Sequence, residues 1–181
     1  MRTFIAIDLP ASLKGKIISL QNELRPSIAG ARWLNPRGIH FTLKFLGNTA
    51  ENLIPSISAA LEKICSAAEP FTIAIKGLGA FPTGKNPRVL WIGIRDNPQL
   101  PSLQGEIEEA ISTLGFAPEN RRFSPHITIA RFKGHAYIPQ EALSADREIG
   151  SFQAGEITFF QSILRPEGAE YLPLAVFRFS C

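Results

Sequence analysis

The chain has 181 residues, 45% hydrophobic and 19% charged, which excludes a disordered chain and suits one globular domain that needs no disulfide or metal to hold a core. Nineteen basic against 16 acidic side chains leave a net charge of +3, compatible with a phosphate or a short nucleic acid as ligand, and no run of like charges forms a tail that would wrap a duplex. No apolar stretch is long enough to span a membrane, the apolar run after Met1 stops at Asp8, and Cys65 and Cys181 read as free thiols, so a cytoplasmic protein is expected.

Residues 2–8 are predicted to form a short apolar strand. Pro10 opens a helix whose Leu13, Ile17, Leu20 and Leu24 recur on one face, and Pro26 and Gly30 end it. Residues 31–33 are extended and 39–46 are a strand. Thr49 caps a second helix over 50–68, with Ile57, Ala60, Leu61 and Ile64 at helical spacing. Residues 71–78 and 88–94 are strands, separated by a loop with Gly79, Pro82, Gly84 and Pro87. Pro98 and Pro101 start a third helix that buries Leu100, Leu103, Ile107, Ala110 and Leu114. A strand over 125–132 and a short helix over 139–147 follow. Residues 155–164 and 170–179 are long strands joined by the hairpin signal Pro166-Glu167-Gly168-Ala169. This mixed order predicts an α+β fold with largely antiparallel sheet. No composition shift marks a linker, so residues 1–181 are expected to form one domain.

One segment occurs twice. His40-Phe41-Thr42-Leu43-Lys44-Phe45 is echoed by His126-Ile127-Thr128-Ile129-Ala130-Arg131-Phe132, from 40 to 126, that is 86 residues apart and close to half the chain. A duplicated, two-lobed architecture explains such an echo. Strand side chains alternate faces, so His40 shares a face with Thr42, and His126 with Thr128, while apolar residues pack behind. Side by side, the two strands converge two imidazoles and two hydroxyls on one pocket that suits a phosphodiester. A neutral histidine takes a proton from water and a protonated one gives a proton to the leaving oxygen. The threonines donate to the non-bridging oxygens. Residue types do not tell donor from acceptor.

Other candidates are weaker. Zinc needs three or four ligands, and His135, the third and last histidine, follows Lys133-Gly134 in a loop, so no metal and no cofactor are expected. The segment Gly79–Asn86 nearly fits a phosphate-binding loop, but Asn86 stands where a hydroxyl should hold magnesium and Pro82 removes an amide. It reads as a loop between strands whose Lys85 and Arg88 line a path for RNA. Strict alternation turns Arg131 away from His126 and Thr128, and it reaches the pocket only if the strand ends, twists or bulges. Otherwise it is a surface ion-pair residue. Arg121 and Arg122 bind phosphate or are solvated. Trp33 and Trp91 stack bases or belong to the core.

At these residues the sequence resembles the two-histidine (2H) phosphoesterases, and most closely the RNA 2′,3′-cyclic phosphodiesterases, also called 2′-5′ RNA ligases. The resemblance runs from Arg2–Pro10 through Arg32-Trp33, His40–Gly47, Pro87–Trp91 and Pro125–Arg131 to Phe160-Gln161-Ser162 and Tyr171. It implies a two-lobed, pseudo-symmetric α+β fold, with antiparallel sheets flanking a central cleft and helices outside. It implies hydrolysis of a terminal RNA 2′,3′-cyclic phosphate to a 2′-phosphate; the protein is expected to be a monomer and to need no metal. His40 is implied as proton donor and His126 as proton acceptor, with Thr42, Thr128 and Arg131 binding the phosphate. The alternatives are 2′-5′ ligation, action on another cyclic nucleotide or oligonucleotide, and binding of RNA ends without turnover.

Overall fold

Five buried residues between two exposed ones make up β1 (Arg2–Asp8), a pattern that belongs inside a sheet rather than at its rim. In the computed structural model, which describes residues 1–83, 86–95, 97–166 and 168–180, β1 has a neighbour on each side. The four-stranded antiparallel sheet runs in the order β3 (His40–Asn48), β1, β8 (Glu156–Arg165) and β9 (Gly168–Arg178). A five-stranded antiparallel sheet runs β2 (Arg32–Trp33), β6 (His126–Arg131), β5 (Val89–Ile94), β4 (Phe71–Phe81) and β7 (Glu148–Ala154). These sheets are the two lobes, and β3 of the first lies beside β6 of the second.

Three helices cover the sheets. The stripe Leu13, Ile17, Leu20 and Leu24 of α1 (Ala11–Leu24) is buried as its spacing predicts. A buried Gln21 lies among them, and its Nε2 donates to the carbonyls of Leu34 and Ile129, both at 3.0 Å, which offsets the desolvation of the amide. Ile57, Leu61, Ile64 and Cys65 are the buried face of α2 (Ile54–Ala67), and Leu100, Leu103, Ile107 and Ile111 that of α3 (Gln99–Thr113). Each such side chain contributes roughly 1.5–3 kcal/mol by leaving water.

The helices cross between lobes. After β1 of the first sheet the chain enters α1, which lies against β7 of the second; after β5 of the second it enters α3, which lies against β3 of the first. One apolar core therefore runs through both lobes, from Ile7 and Phe41 to Leu90 and Ile127. The units β1–α1–β3 and β5–α3–β6 repeat each other, and each ends in a strand headed by histidine.

Several sequence expectations need correction. Residues 139–147 carry only a 3-10 turn, Gln140–Ala142, and 148–154 are the edge strand β7. Ile149 and Ala154 of β7 are buried, but a register shift against β4 breaks their alternation. Thr49 does not cap α2, because its hydroxyl bonds that of Thr3 at 2.6 Å, and a 3-10 turn, Glu51–Leu53, leads into the helix instead. Gly79 lies within β4, not in a loop. Because α3 ends at Thr113, Ile111 rather than Leu114 completes its buried stripe, and Ala110 is half-buried. Gly84, Lys85, Glu167 and Cys181, and whatever roles the sequence suggested for them, lie outside the described residues.

Candidate active site

His40 and His126 are the first residues of β3 and β6, and the same local device holds each ring. His40 Nδ1 lies 2.8 Å from the carbonyl of Gly38, and His126 Nδ1 lies 2.7 Å from the carbonyl of Ser124. A carbonyl only accepts, so Nδ1 carries the proton in both rings, and a neutral ring then offers its basic lone pair at Nε2. The first carbonyl is placed by a 3-10 turn, Pro36–Gly38, which Asn35 caps by accepting from the Arg37 amide at 3.0 Å.

The surroundings of the two rings differ. His40 stacks on Phe4 at 4.6 Å between centroids and meets the edge of Tyr171 at 4.9 Å. Phe160 stacks behind Phe4 at 5.1 Å. Phe4, Ala6, Phe160 and Tyr171 form a small apolar cluster separate from the main core. Burial in this well pushes the His40 imidazole down to about 4; the Gly38 carbonyl and the Asp8 carboxylate act the other way, and Lys14 and Arg131 add to the depression. His126 instead meets the edge of Phe81 at 5.2 Å and lies 6.4 Å from Trp91. Trp91 lies directly over Gly79, where a Cβ would fall 2.2 Å from the indole, so only glycine permits this packing. The indole Nε1 is the one buried side-chain polar atom without a hydrogen-bond partner among the described residues.

Thr42 and Thr128 follow their histidines by two residues and are half-buried on the same strand faces. Ala6 pairs with Thr42, and Trp91 with Thr128, so each threonine faces the aromatic side of its lobe. Immediately after each threonine the ladder slips by one residue. Ala6 pairs with Thr42 but Ile5 with Lys44, which leaves Leu43 over; Trp91 pairs with Thr128 but Leu90 with Ala130, which leaves Ile129 over. These are two bulges at equivalent places in the repeat.

The second bulge decides where Arg131 points. Ile129 and Ala130 are both buried, and Arg131 pairs with Val89, on the Trp91 side of β5. Arg131 thus shares the face of His126 and Thr128, and its charge reaches across the lobes to His40. Alternation alone gives the opposite face. His40 and Thr42 thus share one face of β3, and His126, Thr128 and Arg131 share one face of β6, the strand beside it.

The remaining candidates have other partners. His135 Nδ1 bonds Asn86 Oδ1 at 2.8 Å. Among the described residues no three His, Cys, Asp or Glu side chains gather as metal ligands. Arg88 donates to the carbonyl of Lys133, and Gly79, Ala80 and Phe81 pair with β5, so the described part of Gly79–Asn86 is the end of β4 and the start of its connection to an antiparallel neighbour. Trp33 packs on the core beneath the Arg25 guanidinium, 5.6 Å from its ring. Arg122 lines a shallow depression of about 260 Å³ with Arg95, and the Arg121 amide donates to Glu119. The aromatic well of Phe4, Phe160 and Tyr171 was not singled out from the sequence, since three aromatics spread over 168 positions become neighbours only through the strand order β1, β8, β9. No helix of the described residues is long and apolar enough to cross a membrane.

Known proteins share this fold. The family model described as LigT-like phosphoesterase matches residues 7–91 and 92–171, so the two matched stretches meet between the two motifs. An RNA 2′,3′-cyclic phosphodiesterase of Methanothermobacter thermautotrophicus is 32% identical over 98% of this chain and 98% of its own length. The crystal structure of E. coli LigT complexed with 3′-AMP superposes with a TM-score of 0.83 at 27% identity, covering 99% of this chain and 98% of that one. The structure of TT0787 of Thermus thermophilus does so with a TM-score of 0.87 at 26% identity, again over 99% and 98%. With a family model that covers both repeats and full-length relatives above 30% identity, the chain belongs to the LigT-like phosphoesterases of the two-histidine superfamily.

Proposed function

We propose that this phosphoesterase opens terminal RNA 2′,3′-cyclic phosphates to 2′-phosphates, with His126 as proton acceptor and His40 as proton donor. Water loses its proton to His126 Nε2 as its oxygen bonds to phosphorus. The bond from phosphorus to the 3′ oxygen breaks, and that oxygen takes the proton from His40 Nε2. Thr42, Thr128 and Arg131 hold the non-bridging oxygens as charge develops on them. No metal is needed in this scheme, since a cyclic phosphate is already activated.

The observation that carries the reading is the repetition at the lobe junction. Two imidazoles with the same fixed tautomer, each two residues from a hydroxyl, support an acid–base pair, and Arg131, on the face of His126, supports a cation for the phosphate. The names of the relatives support the substrate, and the 3′-AMP of the E. coli structure supports a nucleotide as ligand. Burial works against a protonated His40, with a value of about 4. The negative charge of the phosphate works for it, so the proton is taken up with the substrate.

The test is incubation, with chelator present, of a short RNA ending in a 2′,3′-cyclic phosphate. A 2′-phosphate product is expected, with turnover reduced about 10²–10⁴-fold in both His40→Ala and His126→Ala. A 3′-phosphate product, or activity lost to chelator and restored by zinc, refutes the scheme.

A further inference from the structure

The two imidazoles are fixed by the same kind of bond but on different supports. The Gly38 carbonyl that holds His40 belongs to a self-contained turn, in which the Gly38 amide donates to the Asn35 carbonyl at 2.9 Å and the Ile39 amide to that of Pro36 at 3.2 Å. The Ser124 carbonyl that holds His126 lies near the end of an arm, residues 114–125, between α3 and β6. Residues 116–124 of this arm make no backbone-to-backbone hydrogen bond among the described residues.

Side chains hold the arm instead. Glu108 Oε1, on α3, accepts from the Glu119 amide at 2.8 Å, and Glu119 Oε1 accepts from the Arg121 amide at 3.2 Å. Lys44 Nζ donates to Glu108 Oε1 at 2.5 Å and to the Ala117 carbonyl at 3.3 Å, while Gln104 Nε2 donates to Glu108 Oε2 at 3.3 Å. Phe123, next to Ser124, meets the edge of Phe41 at 6.0 Å. The arm is thus attached at every second residue from Ala117 to Phe123. Packing at Phe123 sets where the arm lies, but directional bonds set which way its peptide planes face. The slip at Leu43 makes the clamp possible, because it leaves Leu43 and Lys44 both buried and turns the ammonium toward α3. The second motif has Ala130 at the equivalent position, so the support runs one way, from β3 and α3 to His126.

We propose that Glu108, held in place by Lys44, is a positioning residue for His126. Its carboxylate fixes the arm, the arm presents the Ser124 carbonyl, and that carbonyl keeps the proton on Nδ1 and the lone pair on Nε2. This rests on the proposed reaction, in which His126 Nε2 takes the proton from water. A ring freed from Ser124 turns away or carries its proton on Nε2, where it cannot accept another. The loss is felt in the transition state and not in binding, so it lowers kcat and leaves KM nearly as it is.

The experiment compares two double variants. Lys44→Met with Glu108→Leu removes the ion pair and the acceptor together. Lys44→Met with Glu108→Gln removes the ion pair but leaves an amide oxygen for Glu119. Neither strands a buried charge, so both are expected to fold. With a short RNA ending in a 2′,3′-cyclic phosphate, the first should lose roughly 10- to 100-fold in kcat with KM within about twofold, and the second should keep most of its turnover. Imidazole nitrogen NMR spectra at alkaline pH report the tautomer of each ring. The His126 signals should move toward the Nε2–H form in the first double variant only, with those of His40 unchanged. Glu119→Pro deletes the amide itself while leaving the buried pair whole, and should shift His126 as the apolar double variant does; Glu119→Ala, which keeps the amide, should not. This second pair carries the test if the apolar double variant does not fold. Equal losses in the two double variants, His126 signals that stay in place, or parallel changes in both rings overturn the proposal. An unaltered protein that hydrolyses no cyclic phosphate refutes the reaction, while the tautomer comparison still decides the role of Glu108.

Discussion

Because Phe4, Phe160 and Tyr171 crowd the His40 ring, its free-protein titration should be visible in kinetics. In kcat/KM, an acid–base pair gives a bell whose limbs mark the two groups, whichever of them must be protonated. The lower limb belongs to His40 and is expected near pH 4, well below the ordinary imidazole value of 6.5. In kcat the same limb should lie higher, because bound phosphate favours the imidazolium. A lower limb at an ordinary imidazole value in kcat/KM counts against the aromatic well. The same shift bears on stability. Between about 6.5 and 4 the unfolded chain binds more protons at this site than the native one. His40 therefore costs nothing above that window and destabilises progressively as pH falls through it. Urea melts of the unaltered protein and His40→Gln should diverge on acidification by on the order of 2–3 kcal/mol, the variant losing less.

Among the elements, β3 and α3 are tied by one buried ion pair. Lys44 Nζ lies 2.5 Å from Glu108 and also donates to the Ala117 carbonyl at 3.3 Å, while Glu108 accepts from the Glu119 amide at 2.8 Å. This network joins the strand after His40 to the segment before His126. Lys44 is 5% exposed, so removing its charge strands a partly buried carboxylate. Lys44→Ala is expected to cost about 3 kcal/mol in a chemical melt, against much less for an exposed pair such as Arg165–Glu170. The sequence made the helix faces, the motif strands and the terminal hairpin pair legible, because each carries a regular period of apolar residues. It hid what breaks a period. Leu43 and Ile129 look like ordinary inward residues, and only the ladder reveals that one residue is surplus in each strand. The orientation of Arg131 and the strand β7, with Gly150 at φ +150° amid a register shift, were hidden for that reason. The two histidines and two threonines were legible because their echo spans half the chain.

At the scale of the molecule, the echo and the fold do not divide the chain in the same way. The two motifs lie in different halves of the sequence, yet both sheets draw strands from both halves: β1 and β3 share a sheet with β8 and β9, while β4 and β5 share one with β6 and β7. The helices strengthen this exchange, since α1 follows a strand of one sheet and packs on the other, as α3 does in reverse. A chain severed in the exposed stretch between α3 and β6 leaves His40 on one piece and His126 on the other, and leaves each sheet without its remaining strands. Neither fragment should fold or turn over substrate alone, while a mixture of the two should recover both helical signal and hydrolysis. The crossed helices thus make this enzyme a ready-made complementation reporter, in which catalysis records that two separately expressed halves have met.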